Sequence, residues 1–193
     1  FFFWDGRAGS LAEQAKGPIT NPKEMDLDID EAVKRISAEP AYRAAFKKAG
    51  VNDIDEEAIL AAIAAFEMTL KTGRTRFDQW VNGDSDALTE QEERGRRIFF
   101  TNGDCALCHN GANFADDDFH NVGTGTESDR GRYEIEKDEY YLGAFKTPAL
   151  RNWKLREPFM HDGRFRTIRE VIHFYVNPGP TKIGKREIDP IPL

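Results

Sequence analysis

Two cysteines three positions apart, followed directly by a histidine, form the run Cys105-Ala106-Leu107-Cys108-His109. Thiols at this spacing lie on one side of a helical turn, and the next residue can turn an imidazole toward the same space. This C-x-x-C-H is the attachment pattern of c-type haem, with two thioethers to the vinyl groups and a proximal histidine on the iron. Two other chemistries compete. A redox dithiol of the thioredoxin kind follows a strand in a βαβ unit, whereas a helix precedes the motif here. A zinc site needs further ligands. The chain has no other cysteine, and although His120 could join, the Cys-Cys-His run is too tight for an ordinary zinc sphere.

An iron held by His109 has one axial position left. Residues able to fill it lie downstream: His120, Met160, His161, His173 and Tyr175. A thioether raises the reduction potential, while a phenolate stabilises ferric iron. Spacing alone does not choose among them. Met160 and His161 fall in a loop between Pro158 and Gly163, and His173 and Tyr175 fall on a helix. The chain also carries 14 phenylalanines, an aromatic load that suits the walls of a box for a large flat ligand. Phe99, Phe100, Phe114, Phe119, Phe159 and Phe174 are the wall candidates.

The elements that must position these groups read as helical almost throughout. Ser10 with Glu13 opens a short helix to about Lys16, which Gly17-Pro18 should stop. Asn21 to Met25 reads as a turn. Asp28 caps a helix through Ile29, Val33 and Ile36, and Ala41 to Ala49 gives another, ended by Gly50. Asp53 or Asp55 caps the longest helix, Glu56 to Thr72, with Ile59, Ile63, Phe66 and Leu70 three or four apart. Residues 82–88 are a polar linker and the expected lobe boundary. Thr89 with Glu92 opens a helix to about Phe100, and Thr167 with Glu170 opens one through Tyr175. Residues 110–146 read as loops, with a short hairpin expected around Tyr133 to Tyr141.

The 193 residues suffice for one domain or two small lobes. A net charge of −7 argues against a chain that binds nucleic acid by neutralising phosphates. No apolar run approaches the roughly 20 residues of a membrane span. Two cysteines exclude a disulfide scaffold. The chain opens on Phe1-Phe2-Phe3-Trp4 without an initiator methionine and closes on Asp189-Pro190-Ile191-Pro192-Leu193. Both ends read as cuts in a longer chain, so the lack of a leader says nothing about compartment.

Six separated motifs, in order, resemble the bacterial dihaem cytochrome c peroxidases and their MauG-like relatives. They are Phe3-Trp4-Asp5-Gly6-Arg7-Ala8; Gly17-Pro18-Ile19 with Asn21-Pro22-Lys23-Glu24-Met25; the C-x-x-C-H; Phe119-His120-Asn121; Phe145 to Asn152; and Pro158-Phe159-Met160-His161-Asp162-Gly163. The resemblance implies an all-α fold, with a cytochrome-c-like haem lobe and the remainder of a second such lobe. The lobes would be residues 86–193, for electron transfer, and 1–85, from the peroxidatic half. It implies one haem c in this chain and a second upstream in the parent.

The resemblance also assigns roles. Trp4 matches the tryptophan between the two haems. Glu24, with Gln14 and Pro18, matches the distal pocket of the peroxidatic haem, where a carboxylate can move a proton during O–O cleavage. His161 matches a haem-pocket histidine. Tyr175 stands at the sixth-ligand position, where tyrosine marks the MauG-like branch, and Met160 belongs to the loop motif. The carbonyls of Arg156 and Pro158 match part of a calcium site. The implied parent is a periplasmic oxidoreductase. It reduces hydrogen peroxide with electrons from a small donor protein, a cytochrome c or cupredoxin, or else oxidises a protein substrate. The single C-x-x-C-H keeps a rival: a non-enzymatic monohaem electron carrier.

Overall fold

The structure, a computed structural model, describes residues 1–187 and 189–191. The chain divides into two units. The first comprises Phe1–Phe3 and Arg7–Lys71, and the second Trp4–Gly6 and the residues from Thr72 onward. The described residues are mostly helical, with one two-stranded sheet among them. The expected all-α class is borne out, and no helix among the described residues is long and apolar enough to cross a membrane.

The first unit holds α1 (Leu11–Thr20), α2 (Ile29–Ala38), α3 (Pro40–Lys48) and α4 (Glu56–Glu67). Each start has a side-chain acceptor. Ser10 takes the Glu13 N–H, Asp28 those of Asp30 and Glu31, Glu39 that of Ala41, and Asp55 that of Ala58. Small residues dominate the interior: Ala8, Ala15 and Ala32 are buried, as are Ile59 and Leu60. Two helix ends differ from expectation. α1 continues through Gly17-Pro18, because Pro18 lies so near the end that it removes only one helical bond. The Asn21 N–H still reaches the Gly17 carbonyl at 2.9 Å. α4 ends five residues before Thr72. Thr69 Oγ1 donates to the Phe66 carbonyl at 2.6 Å, and the amides of Thr69 and Leu70 close tighter turns.

The second unit holds α5 (Arg76–Val81), α6 (Glu90–Phe100), β1 (Phe119–His120), α7 (Tyr133–Glu136), β2 (Phe145–Lys146) and α8 (Ile168–Val176). Short 3₁₀ turns cover Cys105–Leu107, Glu139–Tyr141 and Trp153–Leu155. β1 and β2 run antiparallel, with His120 opposite Phe145 and Phe119 opposite Lys146. The hairpin expected around Tyr133 to Tyr141 is instead α7 and a 3₁₀ turn. Ion pairs at helical spacing, Arg132 with Glu136 and Glu134 with Lys137, favour that outcome.

Trp4–Gly6 joins this unit through the Lys146 N–H to the Trp4 carbonyl, 2.8 Å, and Arg132 Nη1 to the Gly6 carbonyl, 2.7 Å. Gly6 has φ +69°, and a Cβ there would fall 2.2 Å from Phe119 Cζ, so only glycine fits. The division between the units falls at Lys71/Thr72 rather than at residues 82–88. The cause is α5, which packs wholly with the second unit. Its Phe77 ring lies 5.1 Å from Phe114 and 6.3 Å from Phe100. Its Asp78 takes two bonds from Arg151, at 2.6 and 3.1 Å.

Asp78 also accepts from Thr75 in a reciprocal cap, and these bonds, led by that from Arg151, hold its carboxyl well below the usual carboxylate range. A carboxyl depressed on folding stabilises above its unfolded pKa of about 4 and loses that contribution as pH falls below it. Asp78→Asn should therefore lower the melting temperature by a few degrees at pH 7. The gap from the parent should shrink through pH 4 to 2 in thermal melts followed by circular dichroism.

Candidate haem site and catalytic residues

The C-x-x-C-H begins on the 3₁₀ turn Cys105–Leu107, entered through Asp104 in the left-handed conformation, φ 49°. The His109 N–H closes onto the Cys105 carbonyl at 2.8 Å, so the motif winds as a single turn. His109 Nδ1 lies 2.9 Å from the Phe114 carbonyl. A carbonyl only accepts, so Nδ1 carries the proton. Burial pushes the His109 pKa down, against the Phe114 and Pro148 carbonyls and Asp116, which favours the neutral ring that ligation needs.

Phe114, φ 55°, sits in a loop with several anchors. Its ring meets Phe77 and Phe99, Arg151 Nε donates to the Ala112 carbonyl at 2.6 Å, and the Leu150 N–H donates to the Asn113 carbonyl at 3.2 Å.

A cavity of about 400 Å³ opens beside the motif. Trp4, Cys105, Cys108, His109, His161 and Tyr175 all line it, and so do Met160 and His120. Its other walls are mainly apolar, including Leu107, Phe145, Trp153, Phe159, Ile168 and Val171. Of the six wall phenylalanines expected from sequence, Phe159 is there. Phe99, at the end of α6, instead packs with Phe100 and Phe114, Phe119 packs beneath Arg132, and Phe174 packs on Phe165. His173, the other helical ligand candidate, is exposed on α8.

The side chains in the cavity have distinct surroundings. Burial pushes the Tyr175 phenol up to about 12, with the two cysteines adding to the shift. Its hydroxyl has no hydrogen-bond partner among the described residues. His161 stacks on Phe145 with ring centres 3.5 Å apart, and its Nε2 is 3.1 Å from Asp129 Oδ2. Burial lowers its pKa although Asp129 and Asp162 oppose the shift. His120 lies between Glu187 and Asp116, 2.8 Å from each. The Cys108 thiol, then Glu187 and Asp116, push its pKa up to about 10 against the cost of burial.

This geometry bears on the competing readings of the motif. A redox dithiol needs a thiol pKa lowered by its surroundings. Burial raises that of Cys105, whose Sγ donates to the Gly103 carbonyl at 3.2 Å. A zinc site would need both cysteines and His109 together. The metal-type side chains that converge among the described residues are Cys108, Asp116 and His120, without Cys105 or His109. Haem fits better. The apolar cavity offers two thiols, an imidazole whose Nδ1 is held by a carbonyl, and a phenol with no hydrogen-bond partner among the described residues.

Gln14, Pro18 and Glu24 belong to the first unit. Gln14 and Pro18 are one turn apart on the same face of α1. The turn after the helix folds back through the Met25 N–H to the Pro18 carbonyl, 3.1 Å, and carries Glu24 beside it. Glu24 is exposed, and its Oε1 accepts from Asn21 Nδ2 at 2.8 Å. Sequence reasoning missed Asp116, Asp129 and Glu187. Asp116 stands four residues before His120, a spacing that could have flagged it. The other two come from distant segments and leave no local signal.

Residues 1–86 match the family described as di-haem cytochrome c peroxidase. The chain is 38% identical to the methylamine utilization protein MauG of Methylorubrum extorquens over 182 residues, covering 92% of this chain and 52% of that protein. It is 39% identical to the cytochrome c551 peroxidase of Nitrosomonas europaea over 176 residues, covering 88% and 52%. The chain belongs to the dihaem cytochrome c peroxidase and MauG family.

Solved structures of the family agree in fold. A MauG-like protein associated with microbial copper homeostasis superposes with a TM-score of 0.82 at 28% identity, covering 97% of this chain and 63% of that one. The diheme peroxidase BthA from Burkholderia thailandensis gives 0.77 at 25% identity, covering 99% and 56%. The chain spans about half the length of the curated relatives it matches.

Membership in a haem family sharpens one test of the motif. Produced with haem-maturation machinery, the chain should carry one haem that survives acid denaturation and solvent extraction. Replacing both Cys105 and Cys108 by serine should release all of it. Haem that extracts from the unsubstituted chain, or zinc in its place, would overturn the assignment.

Proposed function

We propose that this chain is the electron-transfer lobe, with part of the peroxide-reducing lobe, of a periplasmic dihaem peroxidase of the MauG-like branch. The observation that carries the reading is the convergence of Trp4, the C-x-x-C-H, His161 and Tyr175 on one apolar cavity. Haem c, when bound there, supplies an iron that accepts and passes single electrons.

The chain's own side chains set the conditions. Cys105 and Cys108 would hold the group by thioethers and His109 through Nε2. Tyr175 would give its phenolic proton to solvent and offer a hard, anionic oxygen, which favours ferric iron over ferrous. Stacking on Phe145 fixes the plane of His161. Trp4 lines the cavity and is 40% exposed, which suits an electron path out of it.

Gln14, Pro18 and Glu24 would border the second haem's peroxide site. Reduction of hydrogen peroxide to two waters consumes two electrons and two protons. A carboxylate at Glu24 Oε can take a proton from one peroxide oxygen and return it to the other as the bond breaks. The electrons would come from a small donor protein, a cytochrome c or cupredoxin; a MauG-like parent would draw them instead from a protein substrate. Covalent haem attachment outside the cytoplasm supports the periplasmic placement. Calcium takes six to eight oxygens, so the Arg156 and Pro158 carbonyls would supply only part of such a site. The single C-x-x-C-H favours the second reading, a monohaem carrier, and Glu24 distinguishes the two.

In the full-length enzyme, Glu24→Gln should slow peroxide turnover by about 10²- to 10⁴-fold while leaving the spectrum of the His109 haem intact. An unchanged turnover would return Glu24 to the role of a solvated turn residue. The sixth ligand is tested separately on the haem-loaded chain. Tyr175→Phe should open the ferric iron to water and exogenous ligands, and Tyr175→Met should raise the reduction potential. Met160→Leu, which conserves volume, should leave the ferric spectrum nearly unchanged. The reverse pattern would make Met160 the ligand.

A further inference from the structure

His120 neither attaches nor ligates the haem in the reading above, yet both of its ring nitrogens are engaged. Nδ1 is 2.8 Å from Glu187 Oε2 and Nε2 is 2.8 Å from Asp116 Oδ2. The side chains of Asp116, His120 and Glu187 are 18, 20 and 25% exposed. Carboxylate oxygens only accept, so both nitrogens donate and the ring is an imidazolium. The carboxylates hold opposite nitrogens, so one cation could not replace the ring between them. Cys108, which also approaches, is uncharged once its sulfur is a thioether. The two carboxylates then remain to hold the proton on the ring.

The clamp grips a segment from far along the chain. Glu187 Oε1 accepts from the Asn121 N–H at 3.0 Å, and the Glu187 N–H donates to the Asn121 carbonyl at 3.0 Å. With the bond to His120, three contacts fasten one residue to the end of β1. Beyond it, Asp189, Pro190 and Ile191 line the haem cavity. The Ile191 N–H donates to the Tyr175 carbonyl at 3.0 Å, one of the acceptors that the end of α8 leaves open. The returning chain is therefore tied to β1 at one point and, at another, to Tyr175, the residue that would ligate the iron.

We propose that His120 is a positioning residue: by clamping Glu187 it holds the returning chain along the haem cavity and keeps outside ligands from the iron. The proposal rests on the haem assignment above. Its force comes from charge. Without the imidazolium, Asp116 and Glu187 face each other in a mostly buried site, and their repulsion loads Glu187, whose two remaining bonds are both to Asn121.

The test uses the haem-loaded chain. Ferric protein is titrated with imidazole and with cyanide, followed by absorbance, with melting temperatures measured in parallel. A hydrogen bond to a charged partner shifts an equilibrium by about tenfold or more. His120→Ala should therefore raise the affinity for imidazole by about tenfold or more. Glu187→Gln, which keeps the shape and the backbone bonds to Asn121, should raise it by less. If His120→Ala fails to fold, Glu187→Gln decides alone. Unaltered ligand affinity in variants that retain covalent haem, whatever their melting temperature, overturns the proposal and leaves the clamp a purely structural bond. Absence of covalent haem from the unsubstituted chain is a different failure: it removes the haem assignment, and the proposal with it.

Discussion

The bond from His109 Nδ1 to the Phe114 carbonyl sets what the rest of the second unit must achieve. It fixes the tautomer of the one imidazole that can hold the iron from the motif side, and it fixes the plane of the ring. A carbonyl in a loop is a poor anchor unless the loop is itself held. Here the Phe114 ring lies in a cluster with Phe77 and Phe99, and Arg151 ties the loop at Ala112 while its other nitrogens reach Asp78. α5, six residues long and remote from the cavity, therefore bears on the orientation of the axial histidine. That dependence also explains why α5 packs with the second unit and not the first.

What was legible in the sequence was what local chemistry encodes. The C-x-x-C-H spacing, the reciprocal caps at Thr89/Glu92 and Thr167/Glu170, and the caps at Ser10, Asp28 and Asp55 all act within four residues, and all formed. α5 escaped notice because its cap uses Asp78 rather than Glu and its six residues, with Phe77, Trp80 and Val81 apolar, are too few for a period to stand out. The end of α4 escaped because Phe66 and Leu70 continue a helical pattern that no buried face uses; both are about two-thirds exposed. The aromatics of 133–141 resemble a strand until the ion pairs at i,i+3 and i,i+4 are counted.

The cavity was only half legible for a related reason. Cys105, Cys108 and His109 announce themselves by spacing, and Tyr175 and His161 by family motif. The groups that set their environment sit far away in sequence: Asp129 is 32 residues from His161, and Glu187 is 67 from His120. Nothing periodic links such pairs. Only the fold states which carboxylate faces which imidazole. Phenylalanine content was a weak guide, because a chain that builds a large cavity must also brace it from behind. Most of the expected wall residues do the bracing.

The two sets of candidate residues also differ in the kind of environment they need. In the proposed enzyme, a residue that moves protons to and from peroxide needs a carboxylate oxygen not committed to a fixed bond, and among the described residues Glu24 is held only at Oε1, by Asn21 Nδ2. A centre that passes electrons needs its ligands unchanged between turns of the cycle, because each rearrangement adds to the barrier. The second unit is built for that constancy: His109 is held by Phe114, His161 is pressed on Phe145, and the end of α8 is bonded to Ile191. In the proposed enzyme, proton chemistry and electron chemistry thus ask different things of the side chains that carry them. An open His109 cavity would admit ligands that compete for the iron.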